Sequence, residues 1–261
     1  MSLEKKIKVS IITVCYNSSK FIRSAIESAL SQDYNDIEYI IIDGGSHDGT
    51  MDIINDFQGR IAHVVSEPDK GIYDAMNKGI SLATGSVIGI VNSDDFYPNP
   101  YVISQVVQTF KDNPNTDLVL GNVDFVNAKD LTMPVRLYSS FKFASWKMRF
   151  GFMPAHPGAF IKRSAYDEVG LYKLGYKIGA DFDMFVRLLM VKKMPYIKLN
   201  QTLVRMQVGG VSTSGLRSYS TSTNEMLRSL KENKVYSNGL FVLLRLPVKF
   251  FQMARLKLGF K

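Results

Sequence analysis

Between Val87 and Asp95 the chain reads Val-Ile-Gly-Ile-Val-Asn-Ser-Asp-Asp. Apolar or very small residues run straight into an amide, a hydroxyl and two carboxylates. The first half has the pattern of a strand buried on both faces: short, β-branched and without alternation. The second half, Asn92, Ser93, Asp94 and Asp95, consists of oxygen ligands placed where a parallel strand would end. In open α/β sheets, ligands bind outside the carboxyl ends of the strands. Adjacent carboxylates repel each other unless a cation or a shared proton relieves them. A hard divalent cation, Mg²⁺ or Mn²⁺, accepts such oxygens and often bridges to substrate phosphates. The same pair can also do no more than cap the turn before Pro98 and Pro100.

The elements that must position this stretch are legible around it. Ile7 to Cys15 reads as a strand, broken by Tyr16-Asn17-Ser18-Ser19, which offers helix N-caps. The helix that follows carries Ile22, Ile26, Ala29 and Leu30 on one face. Ile37 to Ile42 is a second buried strand, ending in Asp43-Gly44-Gly45-Ser46-His47-Asp48-Gly49-Thr50 and a short helix from Met51 to Phe57. Ile61 to Val65 is a third strand. Lys70-Gly71 opens a helix bearing Ile72, Ala75, Met76 and Ile80, and Gly85 precedes the central strand. The order β-α-β-α-β-α-β predicts an α/β fold with a mostly parallel sheet flanked by helices.

Three strand ends then converge on one edge: Tyr16-Asn17, Asp43, and Asn92 to Asp95. An aromatic ring, a lone carboxylate and a carboxylate pair suit a nucleoside diphosphate. The ring can stack on the base, Asp43 can accept from a base N–H, and a cation can hold the diphosphate. A dinucleotide site would need G-x-G-x-x-G after the first strand, and a P-loop would need G-x-x-x-x-G-K-[ST]. Neither follows Cys15. An aspartyl phosphohydrolase would need an acid where Thr13-Val14-Cys15 stands.

Composition narrows the partners. The net charge of +8 favours anionic ligands such as nucleotides, phosphates or anionic lipid. No zinc-finger spacing or base-reading basic helix speaks for nucleic acid. Cys15 is the only cysteine, which excludes an internal disulfide and suits a reducing compartment. The first residues lack the apolar core of a signal peptide, and no apolar run approaches the ~20 residues of a spanning helix.

At this point the motifs resemble a known family. Thr13-Val14-Cys15-Tyr16-Asn17, then Tyr39 to Thr50, then Asn92-Ser93-Asp94-Asp95 look like glycosyltransferase family 2, the inverting enzymes of GT-A fold. Ser66-Glu67-Pro68-Asp69-Lys70-Gly71-Ile72-Tyr73-Asp74-Ala75-Met76-Asn77-Lys78-Gly79 is similar to the branch found in bacterial surface-polysaccharide synthesis. The resemblance covers residues 7 to 215. It implies a nucleotide-sugar donor, with a UDP-sugar favoured, a Mn²⁺ or Mg²⁺ cofactor, and a glycan or lipid-linked glycan as acceptor. By the same resemblance Tyr16 stacks on the base and Asp43 binds it. Further donor contacts are expected from Thr13, Asn17, Asp69, Lys70, Asn77, Asn92 and Ser93, and the metal is expected on Asp94 and Asp95. Two departures stand out. Asn92 replaces a common Asp and is assigned to the ribose. Met76 replaces a common Arg, whose charge Lys70 or Lys78 could supply.

Past Asp95 the pattern changes. Tyr101 to Lys111 reads as a helix and Asp117 to Val126 as a strand; Leu131 to Arg149 is expected to be irregular, its Tyr138, Phe141, Phe143 and Trp146 mostly closing the core. His156, held between Pro154 and Pro157, can be a turn histidine bonded to backbone; the resemblance places this loop beside the site and favours a contact with the acceptor, or with the diphosphate. Asp181 opens a helix with Phe182, Phe185, Leu188 and Leu189 on its buried face. It can be a simple N-cap. The resemblance makes it the catalytic base, in the family's Glu-Asp pair, here Ala180-Asp181. Asp183 is expected to pair with Arg187 at i,i+4. Val208 to Gly215 is a candidate lid, and a helix spans Tyr219 to Asn233.

The expected organisation is a GT-A domain over residues 1–216 and a helical, basic, amphipathic extension over 217–261. After Glu232 the chain contains no acid, while Lys234, Arg245, Lys249, Arg255, Lys257 and Lys261 alternate with Leu, Phe and Val. This fits two short helices, divided by Pro247, lying on an anionic membrane surface; the alternative is packing back on the catalytic domain. The expected location is cytoplasmic, peripheral at the inner face of the cell membrane. A non-catalytic nucleotide-sugar-binding subunit and a nucleotide-sugar hydrolase are the competing functional readings.

Overall fold

A computed structural model describes residues 6–127, 130–208 and 215–245, with only the backbone for 215–217. The candidate lid, apart from its two ends, and the tail beyond Arg245 lie outside the described residues.

The first half follows the sequence pattern. Strand β1 (Val9–Cys15) leads to helix α1 (Ile22–Leu30), β2 (Ile37–Asp43) to α2 (Thr50–Asn55), and β3 (His63–Ser66) to α3 (Ile72–Leu82); β4 (Val87–Asn92) is the central strand. β1 lies between β2 and β4, and β2 also pairs with β3, all parallel. Strands this buried need side chains that are apolar on both faces. Ile12 and Val14 pack with Ile40, Ile42, Ile88 and Ile90 against α3. Val9 and Ile11 pack with Ile41 and Val91 on the opposite face, against α1 and α4 (Val102–Asp112).

The second half makes the sheet mixed. After the short β5 (Asp95–Phe96) and α4 come β6 (Leu118–Asn127), β7 (Asp130–Tyr138), β8 (Ala159–Lys162), α5 (Arg163–Val169), α6 (Ala180–Phe185) and β9 (Tyr196–Gln207). β8 joins the halves, pairing antiparallel with both β4 and β6. The order across the sheet is β3-β2-β1-β4-β8-β6-β9-β5, with β7 on β6. Gly89 of β4 faces Phe160 of β8, where a Cβ would lie 2.5 Å from the ring. Helices α7 (Gly215–Glu232) and α8 (Gly239–Leu243) close the described chain.

Two expectations change here. Residues 131–138, expected to be irregular, form most of β7. That strand pairs with β6 alone, is largely exposed, and carries Pro134 opposite a register shift. A solvated edge strand has no buried periodicity to read, and proline is tolerated there. Of the aromatics expected to close the core, Phe143 is buried, whereas Phe141 and Trp146 are exposed.

Helix α3 sits unusually close to the sheet. A Cβ on Gly79 would come within 2.4 Å of Ile12 Cγ2. Gly79→Ala gains about 0.5–1 kcal/mol of helix propensity, but overpacking of this kind costs typically ~1–3 kcal/mol. The net expectation is a lowered urea midpoint at unchanged slope. An unchanged or raised midpoint would contradict the packing described.

Candidate active site

The parallel register sets the geometry. Cys15 pairs with Asp43 and Val14 with Asn92, so the ends of β1, β2 and β4 open on one edge. Tyr16 leaves that edge 60% exposed, its ring face available to a planar ligand. Asn17 follows in the left-handed region at φ 46°, a conformation that asparagine tolerates better than most residues. Its side-chain oxygen accepts from His47 N–H at 2.9 Å, and its own N–H donates to Ser46 Oγ at 2.8 Å. The loops after β1 and β2 are thereby tied together. Asp48 adds a second tie, accepting from Ser19 N–H at 3.0 Å and from Thr50.

Asp69 completes the rim. A Cβ on Gly44 would fall 2.5 Å from Asp69 Oδ2 and 3.4 Å from Tyr16 Cδ2. The missing side chain of Gly44 therefore lets a carboxylate stand beside the exposed ring. The Lys70 side chain is exposed at the same rim. Lys78 is drawn away to Glu67, at 2.8 Å.

At the end of β4 the carboxylates differ. Asp95 is wholly buried, and its Oδ2 accepts from Asn92 Nδ2 at 3.0 Å. Burial, and then the neighbouring Asp94, push its carboxyl well above the usual range. Asp94 is half-buried and raised by burial. Asp95 Oδ1 and Asn92 Oδ1 are buried without a donor. Buried oxygens rarely go unpaired. Two orphaned acceptors beside a second carboxylate form an oxygen-only donor set, the chemistry of Mg²⁺ or Mn²⁺. Among the described residues no cluster of three or more acidic, histidine or cysteine side chains could close a cage. That suits a cation that completes its shell with phosphate oxygens and water. Ser93 Oγ donates to Ser18 Oγ at 2.8 Å and holds this turn to the β1 loop.

Next to this end lies a cavity of about 180 Å³, walled by Phe125, Met153, Met206 and Met226, with His156 and Asp181 opening into it. Met206, in the cavity wall, pairs with Asp95 across β5 and β9. Asp181 lies in the first turn of α6, where its Oδ1 accepts from Phe182 N–H at 2.7 Å. Burial lifts its carboxyl to about 6. It is therefore ionised at neutral pH yet basic enough to take a proton. His156 Nε2 meets Tyr172 Oη at 2.6 Å, and burial pushes the imidazole down to about 4, leaving it neutral. Asp183 and Arg187 pair at 2.8 Å, as their spacing predicts.

The comparisons bear on this arrangement. The family described as "Glycosyl transferase family 2" matches residues 10–170. The chain belongs to glycosyl transferase family 2. An uncharacterised glycosyltransferase of Mycobacterium tuberculosis is 31% identical over 185 residues, covering 70% of this chain and 69% of that protein. A PGL/p-HBAD biosynthesis glycosyltransferase of Mycobacterium bovis is 28% identical over 181 residues, covering 68% of each. Among solved structures, S. aureus TarS 1–349 in complex with UDP-GlcNAc superposes with a TM-score of 0.66 at 16% identity, covering 86% of this chain and 66% of that one. Mannosyltransferase PcManGT from Pyrobaculum calidifontis, in complex with GDP-Man and Mn²⁺, gives 0.64 at 18% identity over 96% of this chain and 70% of that one. The fold is that of these GT-A glycosyltransferases.

Three expected donor contacts of this family 2 glycosyltransferase are held by partners within the protein. Thr13 is buried in β1, and its hydroxyl accepts from Tyr39 at 3.0 Å. Asn77 spends both ends of its amide on the backbone of Tyr172, at 2.8 and 2.9 Å. Asp43 is fully buried and works as a hub. Its oxygens accept from Gly45 N–H, Ser46 N–H and the Ser46 and Ser66 hydroxyls at 2.5–3.1 Å. Burial raises its carboxyl, but the Ser46 and Ser66 donors outweigh this and hold it below the usual range. Thr13 and Asn77 are thus paired with residues remote in sequence, and Asp43 shapes its own loop. Tyr16, Asn17, Asp69, Lys70, Asn92, Ser93, Asp94 and Asp95 do lie on the edge or its supporting turns. Sequence reasoning passed over Tyr172, which orients His156, and Glu225, an unremarked acid inside a polar helix.

The position of Asp181 carries a cost. Its carboxyl is near 6 when folded against ~3.9 unfolded. The stability lost by ionising it is absent below about pH 4 and complete above about pH 6. Asp181→Asn should therefore melt higher than the parent at pH 8, with the difference shrinking toward pH 4. Identical melting temperatures across that range would contradict the raised carboxyl.

Proposed function

We propose that the protein is an inverting glycosyltransferase that moves a sugar from a nucleotide-sugar, UDP-linked by preference, to a hydroxyl of a glycan or lipid-linked glycan. The observation that carries this reading is Asp181: a half-buried, raised carboxyl opening into a cavity whose wall residue Met206 pairs with Asp95. The acceptor hydroxyl gives its proton to the Asp181 carboxylate. Its oxygen bonds to the anomeric carbon from the face opposite the nucleotide, and the electron pair of the breaking carbon–oxygen bond leaves with the nucleoside diphosphate. Tyr16 stacks on the base, and Asp69 accepts from it. Asn17 fixes the loop beneath, while Asn92 and Ser93 order the turn toward the ribose. Asp43 is assigned a supporting role, holding the β2 loop in shape. His156, neutral and anchored by Tyr172, offers the acceptor a hydrogen bond without competing for its proton. Asp94 and Asp95, with the Asn92 oxygen, would hold Mn²⁺ or Mg²⁺, which when bound neutralises charge on the departing diphosphate. The solved relative PcManGT is described with GDP-Man and Mn²⁺, which supports that choice of ion.

The test is Asp181→Asn, assayed for transfer and for donor binding. Loss of a general base should lower turnover by roughly 10²–10⁴-fold with donor affinity retained. In the parent, kcat/KM should rise with pH through about 6, as Asp181 ionises. Near-normal transfer by the variant would return Asp181 to a helix cap. Parent turnover to free sugar at a rate matching transfer would make the protein a hydrolase, and no turnover with intact binding would make it a binding subunit.

We propose further that the enzyme works at the inner face of the cell membrane, held by its C-terminal region. The tail beyond Arg245 lies outside the described residues, but the surface leading to it supports the reading. Trp146, Tyr236 and Leu240 are 57–70% exposed, and Trp146, Phe150, Phe241 and Tyr236 form a continuous ring contact. Lys147 lies over the Trp146 ring, and Arg149 donates to Tyr236 O. Exposed aromatics flanked by cations suit an anionic lipid interface, with each cation adding ~1 kcal/mol. Among the described residues no helix is long and apolar enough to cross a membrane. Trp146 is the only tryptophan, so its emission reports on this face. Anionic vesicles at low salt should shift that emission to the blue and sediment the protein, and a chain ended near Asn233 should bind less. Equal partitioning of the two chains, or an unmoved spectrum, would contradict the membrane site.

A further inference from the structure

Helix α7 grips the chain on both sides of Asp181. On the near side, three consecutive N–H groups converge on one carboxylate. Lys177 donates to Glu225 Oε1 at 2.8 Å, while Ile178 and Gly179 donate to Oε2 at 3.0 and 2.8 Å. The first N–H groups of a helix have no partner within it, and α6 has no side-chain cap at Gly179. Glu225 reaches in from a helix more than forty residues later and holds the backbone at that point. The approach is close: a Cβ on Gly179 would lie 3.1 Å from Glu225 Cβ. The carbonyl of Ile178 is held as well, accepting from the Tyr73 hydroxyl. The peptide leading into α6 is therefore fixed through both its donors and its acceptors.

On the far side, two residues past Asp181, the buried Asp183 accepts on Oδ1 from Ser229 Oγ at 2.8 Å and Asn233 Nδ2 at 2.9 Å. Glu225, Ser229 and Asn233 are spaced four apart, one stripe of a helix. The stripe spans the turn that carries Asp181.

We infer that Glu225 is a positioning residue for the general base, fixing the start of α6 so that the Asp181 carboxylate stays in the acceptor cavity; this rests on Asp181 being the base. The groups that face Asp181 are Tyr73 from α3, Tyr138 from β7, Tyr172 and His156 from loops, and Glu225 from α7. Glu225 is the one other carboxylate among them. Besides holding the backbone, it adds a like charge that makes Asp181 a stronger base. Burial is the larger contribution and Glu225 a further one in the same direction.

Two variants separate these effects, with Asp181→Asn beside them. Glu225→Gln keeps length and an acceptor oxygen but loses the charge. The acid limb of its kcat/KM profile should move to lower pH. Glu225→Ala releases the three N–H groups, and a misplacement of about 1 Å can cost ~10²-fold. Its kcat should fall by about that factor while the donor KM stays near the parent value. A purely structural role would lower the melting temperature and leave the acid limb of the folded enzyme in place. If Glu225→Ala does not fold, the Gln variant alone decides by its pH profile. If Asp181→Asn is inactive and the Glu225 variants keep parental kcat and acid limb, this inference falls and the base assignment survives. If Asp181→Asn transfers normally, both fall.

Discussion

The structure depends on one constraint, the parallel in-register pairing of β1 with β2 and β4. That pairing sets Cys15 opposite Asp43 and Val14 opposite Asn92. Three chain segments consequently leave the sheet on one side, within reach of one ligand. A slip of one residue would turn the alternate side chains of β1 to the wrong face. The burial of Val9 and Ile11 on one face and Ile12 and Val14 on the other forbids it. Core packing and site assembly are thus the same requirement.

The hydrogen bonds at that edge serve shape as much as binding. Asp43 spends its carboxylate on its own loop, and Asn17 joins two loops in the left-handed conformation. With those groups occupied, Tyr16 and Asp69 are left to face a ligand. The division extends to the second half. Buried Asp183 anchors Lys173, Arg187, Ser229 and Asn233, while Asp181, two residues earlier, opens into the cavity. Two acids in one helical turn have opposite fates because only one of them meets donors from α7 and Arg187.

Most of the first hundred residues was legible in the sequence because β-branched runs alternate there with helical periodicity and turn residues. Asp94, Asp95 and Asp181 were legible as candidates because carboxylates at strand and helix ends are conspicuous. What escaped was set by tertiary context. Strand β7 has solvent on both faces, so its side chains follow no two-residue period. The pairing of Thr13 with Tyr39 and of Asn77 with Tyr172 joins residues remote in sequence, which no local spacing reveals. Glu225 gave no signal, since its role is defined only when α7 docks beside α6. The separate burials of Asp94 and Asp95 also needed the pairing of β5 with β9, which no local pattern announces.

If the sheet edge is a cation-dependent nucleoside-diphosphate site, the cation must couple the carboxylate pair to the ligand. The direct measurement is a calorimetric titration of UDP, with and without Mn²⁺, into the parent protein and into Asp94→Ala. Asp94 is the accessible member of the pair, so its removal leaves the buried Asp95 turn undisturbed. Binding by the parent should strengthen at least tenfold with Mn²⁺, about 1.4 kcal/mol, and in the variant that enhancement should be gone. Equal affinity with and without Mn²⁺ in the parent, or an unchanged enhancement in Asp94→Ala, would contradict that coupling.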